Sequence, residues 1–135
     1  MTAITTDRST QMRDGKLNGV KIAASTVIRG GVIVCANASG YAIEGIADAT
    51  ITCLGVSEEY VDNSAGAAGN KRVIVSRQRA VKLENHATDP VTQASVGKSC
   101  YVADNQTVAA TSNTNTRCVA GQVLSVESGG VWVFI

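Results

Sequence analysis

Apolar and polar residues alternate over short stretches of this chain, and no stretch keeps a helical spacing for long. Short alternating stretches that are separated by turns rich in Gly, Asn and Asp are typical of β-strands. Val and Ile contribute 27 residues against four Leu, and side chains branched at Cβ favour the pleated strand over the helix. The pattern therefore predicts an all-β fold, either a small sandwich or a jelly-roll-like barrel.

The predicted strands follow one another at short intervals after residue 26. The strand at 27–36 contains Gly30 and Gly31, where we expect a bulge or a sharp bend. The longest strand is predicted at 71–84, and one helical turn is expected after Thr92. The other predicted strands are 41–46, 49–61 with a kink near Gly55, 99–103, 107–111, 118–127 and 130–135, the last two forming a terminal hairpin.

The stretch before residue 20 differs from the rest, because it holds few large apolar residues and no sustained period. A length of 135 residues fits one domain. We therefore predict an extended N-terminal arm at 1–19 and a single β domain at 20–135. The arm is either a terminus that frays in solution or a segment that becomes ordered on a partner. Protease trimming of the free and the assembled protein distinguishes these two interpretations.

The predicted core consists of the aliphatic side chains, Trp132, Phe134 and the four cysteines. The cysteines are far apart, with no CxxC pair, and nothing in the polar first residues resembles a secretory signal. Buried free thiols are therefore expected in a soluble protein that is made in a cytosol. No apolar run approaches the roughly 18 residues of a membrane span, so no membrane partner is expected. The four are Cys35, Cys53, Cys100 and Cys118.

The number and the order of charged residues both bear on the expected partners. The net charge of +1 argues against bulk binding of nucleic acid, and the 4% of aromatic residues argues against base stacking. Residues 30–70 carry five acids and no Lys or Arg, whereas 71–82 carries five bases and no acid. Either neighbouring strands pair opposite charges on their solvent faces, or two patches of opposite charge contact partner surfaces.

The motifs of common enzymes are missing or incomplete. The segment 96–99 (VGKS) resembles the end of a P-loop, but Thr92 stands where that loop requires Gly. His86 has no HxxxH partner, and the cysteines lack zinc spacing. A Cys–His pair from distant parts of the chain stays open, although burial in apolar strands makes a thiol unreactive. We therefore expect no enzyme activity, no metal and no cofactor.

Four segments, in this order between residues 27 and 135, resemble small capsid cement (head decoration) proteins of tailed bacteriophages and prophages. The resemblance implies a structural virion protein that lies on the outer surface of the icosahedral capsid and bridges subunits of the major capsid protein. It also implies symmetric assemblies, no cofactor and synthesis in the bacterial host cytoplasm. The segments are ANASGYAIEG, YVDNSAGAAGNKRVIVSRQRAVKLEN, DPVTQASVGKSCYVADNQTVAAT and VAGQVLSVESGGVWVFI.

The expected partners are the major capsid protein and further copies of this chain, as a homodimer or a homotrimer. Planar guanidinium groups suit carboxylates across an interface, so the predicted contact residues are mostly arginines. Another virion β-domain, such as a head or tail accessory protein, is the alternative. DNA binding through 71–82 is a third interpretation, which a steep salt dependence would reveal. The predicted contact residues are Arg8, Arg13 and Lys16 on the arm and Arg72, Arg77 and Arg79 on the long strand.

Overall fold

The computed structural model describes residues 2–135, and its regular structure is almost entirely β. One 3-10 turn, Gln93–Ser95, follows Thr92 as the sequence predicts. The strands are β1 Leu17–Lys21, β2 Thr26–Ile28, β3 Ile33–Ala36, β4 Ala42–Glu44, β5 Thr52–Ser57, β6 Val61–Asn63, β7 Arg72–Ser76, β8 Ala80–Asn85, β9 Ser99–Val102, β10 Thr107–Ala109, β11 Val119–Glu127 and β12 Gly130–Phe134.

The strands form one open sheet, one closed barrel and a two-stranded ribbon. The open sheet has the order β1-β7-β5-β3-β4, and the ribbon pairs β2 with β6. The barrel has the order β10-β8-β12-β11-β9, in which β8 and β10 are parallel. The all-β fold that the sequence predicts is confirmed, and so is the terminal hairpin, which is β11 paired with β12.

The core has two parts, and β3 belongs to both. Ile33 and Cys35 pack with the barrel interior, whereas Val34 packs between the open sheet and the ribbon. All three side chains are inaccessible to solvent. Burying an aliphatic side chain contributes about 1.5–3 kcal/mol, so β3 holds the open sheet and the barrel together through its two faces.

The prediction of one long strand at 71–84 is wrong. The chain forms β7 in the open sheet and then β8 in the barrel, and Gln78 lies between them with a φ of 58°. Val73 and Val75 pack in the core of the open sheet, while Leu83 packs in that of the barrel. Because the two cores lie on different sheets, the chain has to turn between them, and the exposed residues 77–79 form that turn.

Two other predicted strands are each divided between sheets. The segment 27–36 contains β2 and β3, which are separated at Gly30 and Gly31. The segment 49–61 contains β5 and the start of β6. In both cases one strand joins the ribbon and the other joins the open sheet. The glycines at 30 and 31 therefore mark a crossing between sheets, not a bulge within one strand.

The N-terminal segment is exposed and has neither helix nor strand from residue 2 to residue 16. Strand β1 begins at Leu17, inside the predicted arm of 1–19, and pairs with β7 along its whole length. Gly19 disfavours a strand locally, so the sequence of this segment does not predict β1. The strand forms because it pairs with β7. Met1, the first residue of the predicted arm, lies outside the described residues.

The two aromatic residues that the sequence places in the core lie elsewhere. Phe134 is 44% exposed, and Trp132 is half-buried with its Nε1 donating to Glu127 Oε1 at 3.1 Å. Strand β12 alternates, so Val131 and Val133 take the inward positions. Three of the four cysteines are buried as expected, and Cys53 is half-buried.

A polar network joins the ribbon, the open sheet and the barrel. Glu44 at the end of β4 accepts hydrogen bonds from the Arg29 main-chain N–H at 2.9 Å and from the Arg29 guanidinium at 2.8 and 2.9 Å. The amide of Asn105, in the loop between β9 and β10, donates to Glu44 Oε2 at 2.9 Å. Burial would raise the pKa of Glu44, but these hydrogen bonds outweigh it and hold that pKa below its ordinary value of 4.5.

Replacing Glu44 by Gln is expected to lower the free energy of unfolding by about 1–2 kcal/mol at pH 7. Because the pKa of Glu44 is lowered by folding, its contribution is present above about pH 4.5 and is lost as the pH falls through the folded-state value. Urea unfolding at a series of pH values measures both effects, and E44Q should lose less stability on acidification than the parent protein. The matched control is Glu84→Gln, since Glu84 is exposed and forms no ion pair among residues 2–135. Equal losses in E44Q and E84Q would contradict the assignment.

Candidate functional site

The single histidine belongs to a cluster that fixes two loops. His86 Nδ1 accepts the main-chain N–H groups of Thr88 at 3.2 Å and Asp89 at 3.0 Å. Asp89 Oδ2 accepts the Thr111 hydroxyl at 2.6 Å and the Arg117 guanidinium at 2.8 Å. The hydrogen bond from Thr111, followed by that from Arg117, lowers the pKa of Asp89. The polar atoms of this cluster therefore bond mainly to one another and connect residues 86–89 to residues 111–117.

Strand β6 and the loop after it line a cavity of about 540 Å³. Its lining includes Asp62, Asn63 and Lys71, and Lys71 Nζ donates to the main-chain oxygen of Asp62 at 2.6 Å. Within residues 2–135 no three His, Cys, Asp or Glu side chains are placed to hold a metal ion. The described part of the chain also contains no helix long and apolar enough to cross a membrane.

Three of the six predicted contact residues meet at one corner of the molecule. The main-chain oxygen of Lys16 accepts the N–H of Arg77 at 2.9 Å, and the oxygen of Arg79 accepts the N–H of Ile135 at 3.2 Å. Gln78, between the two arginines, donates its N–H to the Ile135 oxygen. We call Lys16, Arg77 and Arg79 the basic corner. All three are exposed. The exposed segment before β1, residues 2–16, joins the folded domain at this corner, and we call that segment the arm from here on.

The other three predicted residues lie away from this corner. Arg8 and Arg13 are exposed on the arm. Arg72 lies at the opposite end of β7, directly across from Lys21 on β1. Two positive charges opposite each other on paired strands destabilise the pair slightly. Among residues 2–135 none of the six predicted contact residues forms an ion pair, so their charges are available to a partner surface.

Pairing of the acidic run with the basic run is not observed in the described residues. Of the bases in 71–82 only Lys82 forms an ion pair, and its partner Glu127 lies outside the acidic run. Glu59 Oε1 accepts the main-chain N–H of Ile74 at 3.2 Å and forms no ion pair. The hydrogen bonds from Ser64, and after them the charge of Lys71, lower the pKa of Asp62. The two runs therefore attract each other at Asp62 and Lys71 without forming an ion pair between them in the described residues.

The outer face of the barrel carries an apolar surface that the sequence does not predict. Phe134 on β12 is 44% exposed and Leu124 on β11 is 43% exposed, with Trp132 half-buried on the same face of β12 as Phe134. We call these three residues the barrel patch. Phe134 directly precedes Ile135, whose main chain bonds to residues 78 and 79, so the patch adjoins the basic corner. The alternation V-W-V-F in β12 indicates that its valines and its aromatic residues face opposite ways, but not which pair is buried.

All the aromatic side chains of the described chain are at least partly exposed. The three tyrosines are exposed or half-buried, as are the two residues of β12, and the core is built from aliphatic residues, alanine and cysteine. Aromatic residues are enriched at protein–protein interfaces relative to the rest of a surface. Their placement here therefore favours contact surfaces over an internal binding site. The five are Tyr41, Tyr60, Tyr101, Trp132 and Phe134.

Comparison with protein-family models, curated proteins and solved structures finds no match to this chain. Among the described residues, the arm, the basic corner and the barrel patch are the features that suit contact with another macromolecule.

Proposed function

We propose that this chain is a structural virion protein that decorates and stabilises the icosahedral head of a tailed bacteriophage. In this role it binds the outer surface of the capsid, bridges subunits of the major capsid protein and associates with further copies of itself. The main support for the proposal is the exposed arm, which extends from the folded β domain next to the basic corner. The charges of that corner form no ion pair among residues 2–135. The resemblance to capsid cement proteins supplies the identity of the partner.

The arm is proposed to act as the tether. Residues 2–16 are exposed and have no strand of their own, while Ile4 and Met12 are 66% and 91% exposed. An extended segment can add to an exposed strand edge, where main-chain hydrogen bonds supply affinity and alternate side chains supply specificity. In a symmetric oligomer, each further arm binds at a high effective concentration once the first is bound. Modest contacts repeated on one shell then give firm attachment.

The barrel patch is proposed to contribute the contacts between copies. Apolar side chains surrounded by polar ones mark many protein–protein surfaces, and here Lys82 and Glu127 form an ion pair beside Trp132. A closed dimer or trimer uses the same patch on every copy. The basic corner next to the patch is left to contact carboxylates of the major capsid protein.

Removing residues 2–15 is expected to weaken binding to heads about tenfold or more without changing the melting temperature. The deletion ends before β1, which begins at Leu17 and is paired with β7, and it keeps Lys16, whose main-chain oxygen accepts the N–H of Arg77, so the folded domain and the basic corner stay intact. Binding is measured by co-sedimentation with heads that lack the protein, and the intact chain should saturate at a fixed number of copies per head. Normal occupancy by the truncated protein would refute the tether. Saturable binding to isolated tails in place of heads would favour the accessory-protein alternative.

Neutralising the basic corner with Arg77→Gln and Arg79→Gln is expected to slow association with heads about tenfold at low salt, since surface charges act mainly on the association rate. The matched control is R77K/R79K, which keeps the charge and loses the planar fork. It should retain the salt dependence of the association rate and dissociate faster. Free DNA is the second control. Tight DNA binding that weakens steeply with salt would overturn the proposal in favour of nucleic-acid binding.

A further inference from the structure

Three of the four cysteines meet where the open sheet packs on the barrel. Cys35 on β3 lies directly opposite Cys53 on β5 in the antiparallel register. Cys118, just before β11, belongs with Cys35 to the barrel core, and Cys53 packs against that core. All of them are free thiols.

The three thiols differ in their access to solvent. Cys35 is fully buried and Cys118 is 8% exposed, whereas Cys53 is half-buried. The fourth, Cys100, is also fully buried, and its Sγ donates to the main-chain oxygen of Gly121 at 3.6 Å. Cys53 is therefore the most exposed of the four cysteine residues.

The pKa values of Cys35 and Cys53 are shifted in opposite directions. The hydrogen bond from Cys35 lowers the pKa of Cys53, although burial acts in the opposite direction, and the same contact lowers the pKa of Cys118. Cys53, unlike Cys118, lies directly opposite Cys35 in the strand register. The hydrogen bonds to Cys118 and Cys53, together with burial, raise the pKa of Cys35. Because the thiolate is the reactive form, Cys53 is the better nucleophile of the two, and Cys35 keeps its proton beside it.

We propose that Cys53 and Cys35 are an oxidation site at which a hydroperoxide converts two core thiols into a cross-strand disulfide. Directly opposed residues of an antiparallel pair have Cα atoms about 4.5–5.5 Å apart, which lies within the range that disulfides span. The register therefore brings these two residues within bridging distance without a change of fold. The inference does not depend on the proposed function.

The reaction has two balanced steps. The Cys53 thiolate attacks one oxygen of hydrogen peroxide, the O–O bond breaks, and the departing hydroxide takes up a proton to form water, which leaves a sulfenic acid on Cys53. The sulfur of Cys35 then attacks the sulfenic sulfur, the S–O bond breaks, and the proton of Cys35 leaves with the hydroxide as a second water. Two thiols are oxidised to one disulfide while one peroxide is reduced to two waters.

The disulfide would connect β3 to β5 and restrict the unfolded chain between them. Since β3 is shared by both parts of the core, this connection is expected to raise the melting temperature of the oxidised protein. A reducing cytosol keeps such thiols free, whereas oxidising surroundings outside a cell let the disulfide persist. The same chain is then more stable after release from a cell than before it.

The test is a thiol map of the whole protein before and after treatment with hydrogen peroxide. After denaturation and alkylation, the treated protein should carry two alkyl groups fewer than the untreated protein. Proteolysis without reductant should give one linked pair of peptides, containing Cys35 and Cys53, and the melting temperature should rise. A link from Cys118 to either residue as the main product, or sulfinic acid without any link, would overturn the proposal.

Single substitutions test the role of each cysteine separately. Cys53→Ser should prevent the fast reaction with peroxide, whereas the matched control Cys100→Ser should leave the Cys35–Cys53 link unchanged. Cys118→Ser should also retain the link, because Cys118 is not consumed in it. Fast disulfide formation in C53S would contradict the role of Cys53. The linked-peptide map of the unsubstituted protein decides the pairing even if a variant fails to fold.

Discussion

Replacing Gly55 by Ala is expected to lower the free energy of unfolding by about 3–5 kcal/mol. Gly55 lies within β5 at a φ of 145°, a backbone conformation almost confined to glycine. A Cβ at this position would overlap the main-chain oxygen of Ser76 on β7 and lie 3.0 Å from Val75 Cγ1. Because the overlap is with main-chain atoms, β5 and β7 would have to move apart to remove it. Their pairing is short.

Urea unfolding measures this loss, and Gly40→Ala is the matched control. Gly40 has a φ of 85°, but a Cβ there meets no atom within 4 Å. The control therefore isolates the conformational cost of a left-handed alanine, about 1 kcal/mol. If G40A and G55A lose equal stability, the contact between β5 and β7 is not what requires Gly55.

Replacing Asn63 by Asp is expected to cost about 3 kcal/mol at neutral pH. Asn63 is 1% exposed, and its Nδ2 donates to the main-chain oxygens of Ala23 at 3.0 Å and Ala67 at 3.1 Å. A carboxylate would direct an oxygen at those two oxygens and bury a charge. Both effects disfavour the charged form, so the pKa of Asp at this position is expected to rise above its unfolded value of about 3.9.

The sign of the pH dependence follows from that raised pKa. The protonated acid can donate one hydrogen bond, so the N63D variant is most stable below about pH 4 and loses stability as the pH rises through the folded-state value. Asn37→Asp is the matched control, because Asn37 Oδ1 accepts the N–H groups of Ser39 and Tyr41, each at 3.0 Å, as a carboxylate would. N37D is expected to change stability by less than about 0.5 kcal/mol. A pH-independent loss in N63D would contradict the buried donor role.

Local chemistry accounts for the parts of the fold that the sequence predicts. The abundance of Cβ-branched residues indicates strands, Ser128 to Gly130 mark the turn of the terminal hairpin, and the polar run 112–116 marks a loop. The exposure of the predicted contact residues follows from the same reasoning, because unpaired arginines are rarely buried. These features depend on neighbours within a few residues, and a single sequence contains that information.

Partners distant in the chain decide the rest. The sequence does not show that residues 77–79 form a turn between two sheets, because β7 and β8 are both good strands and only their separate cores divide them. The joining of Lys16 to Arg77 likewise depends on the pairing of β1 with β7. The order of charged residues along the chain does not predict which strands pair, because the energy of strand pairing comes from contacts that form only on folding.

Local sequence is enough to predict strands, the main turns and the charged residues that lie on the surface. Folding selects the face of β12 that is buried, so that Trp132 and Phe134 lie outside, and it brings Cys35 opposite Cys53. The physical reason is that a strand has two equivalent faces with a period of two residues. The choice between them is made by the sheet that the strand joins and by the core against which that sheet packs.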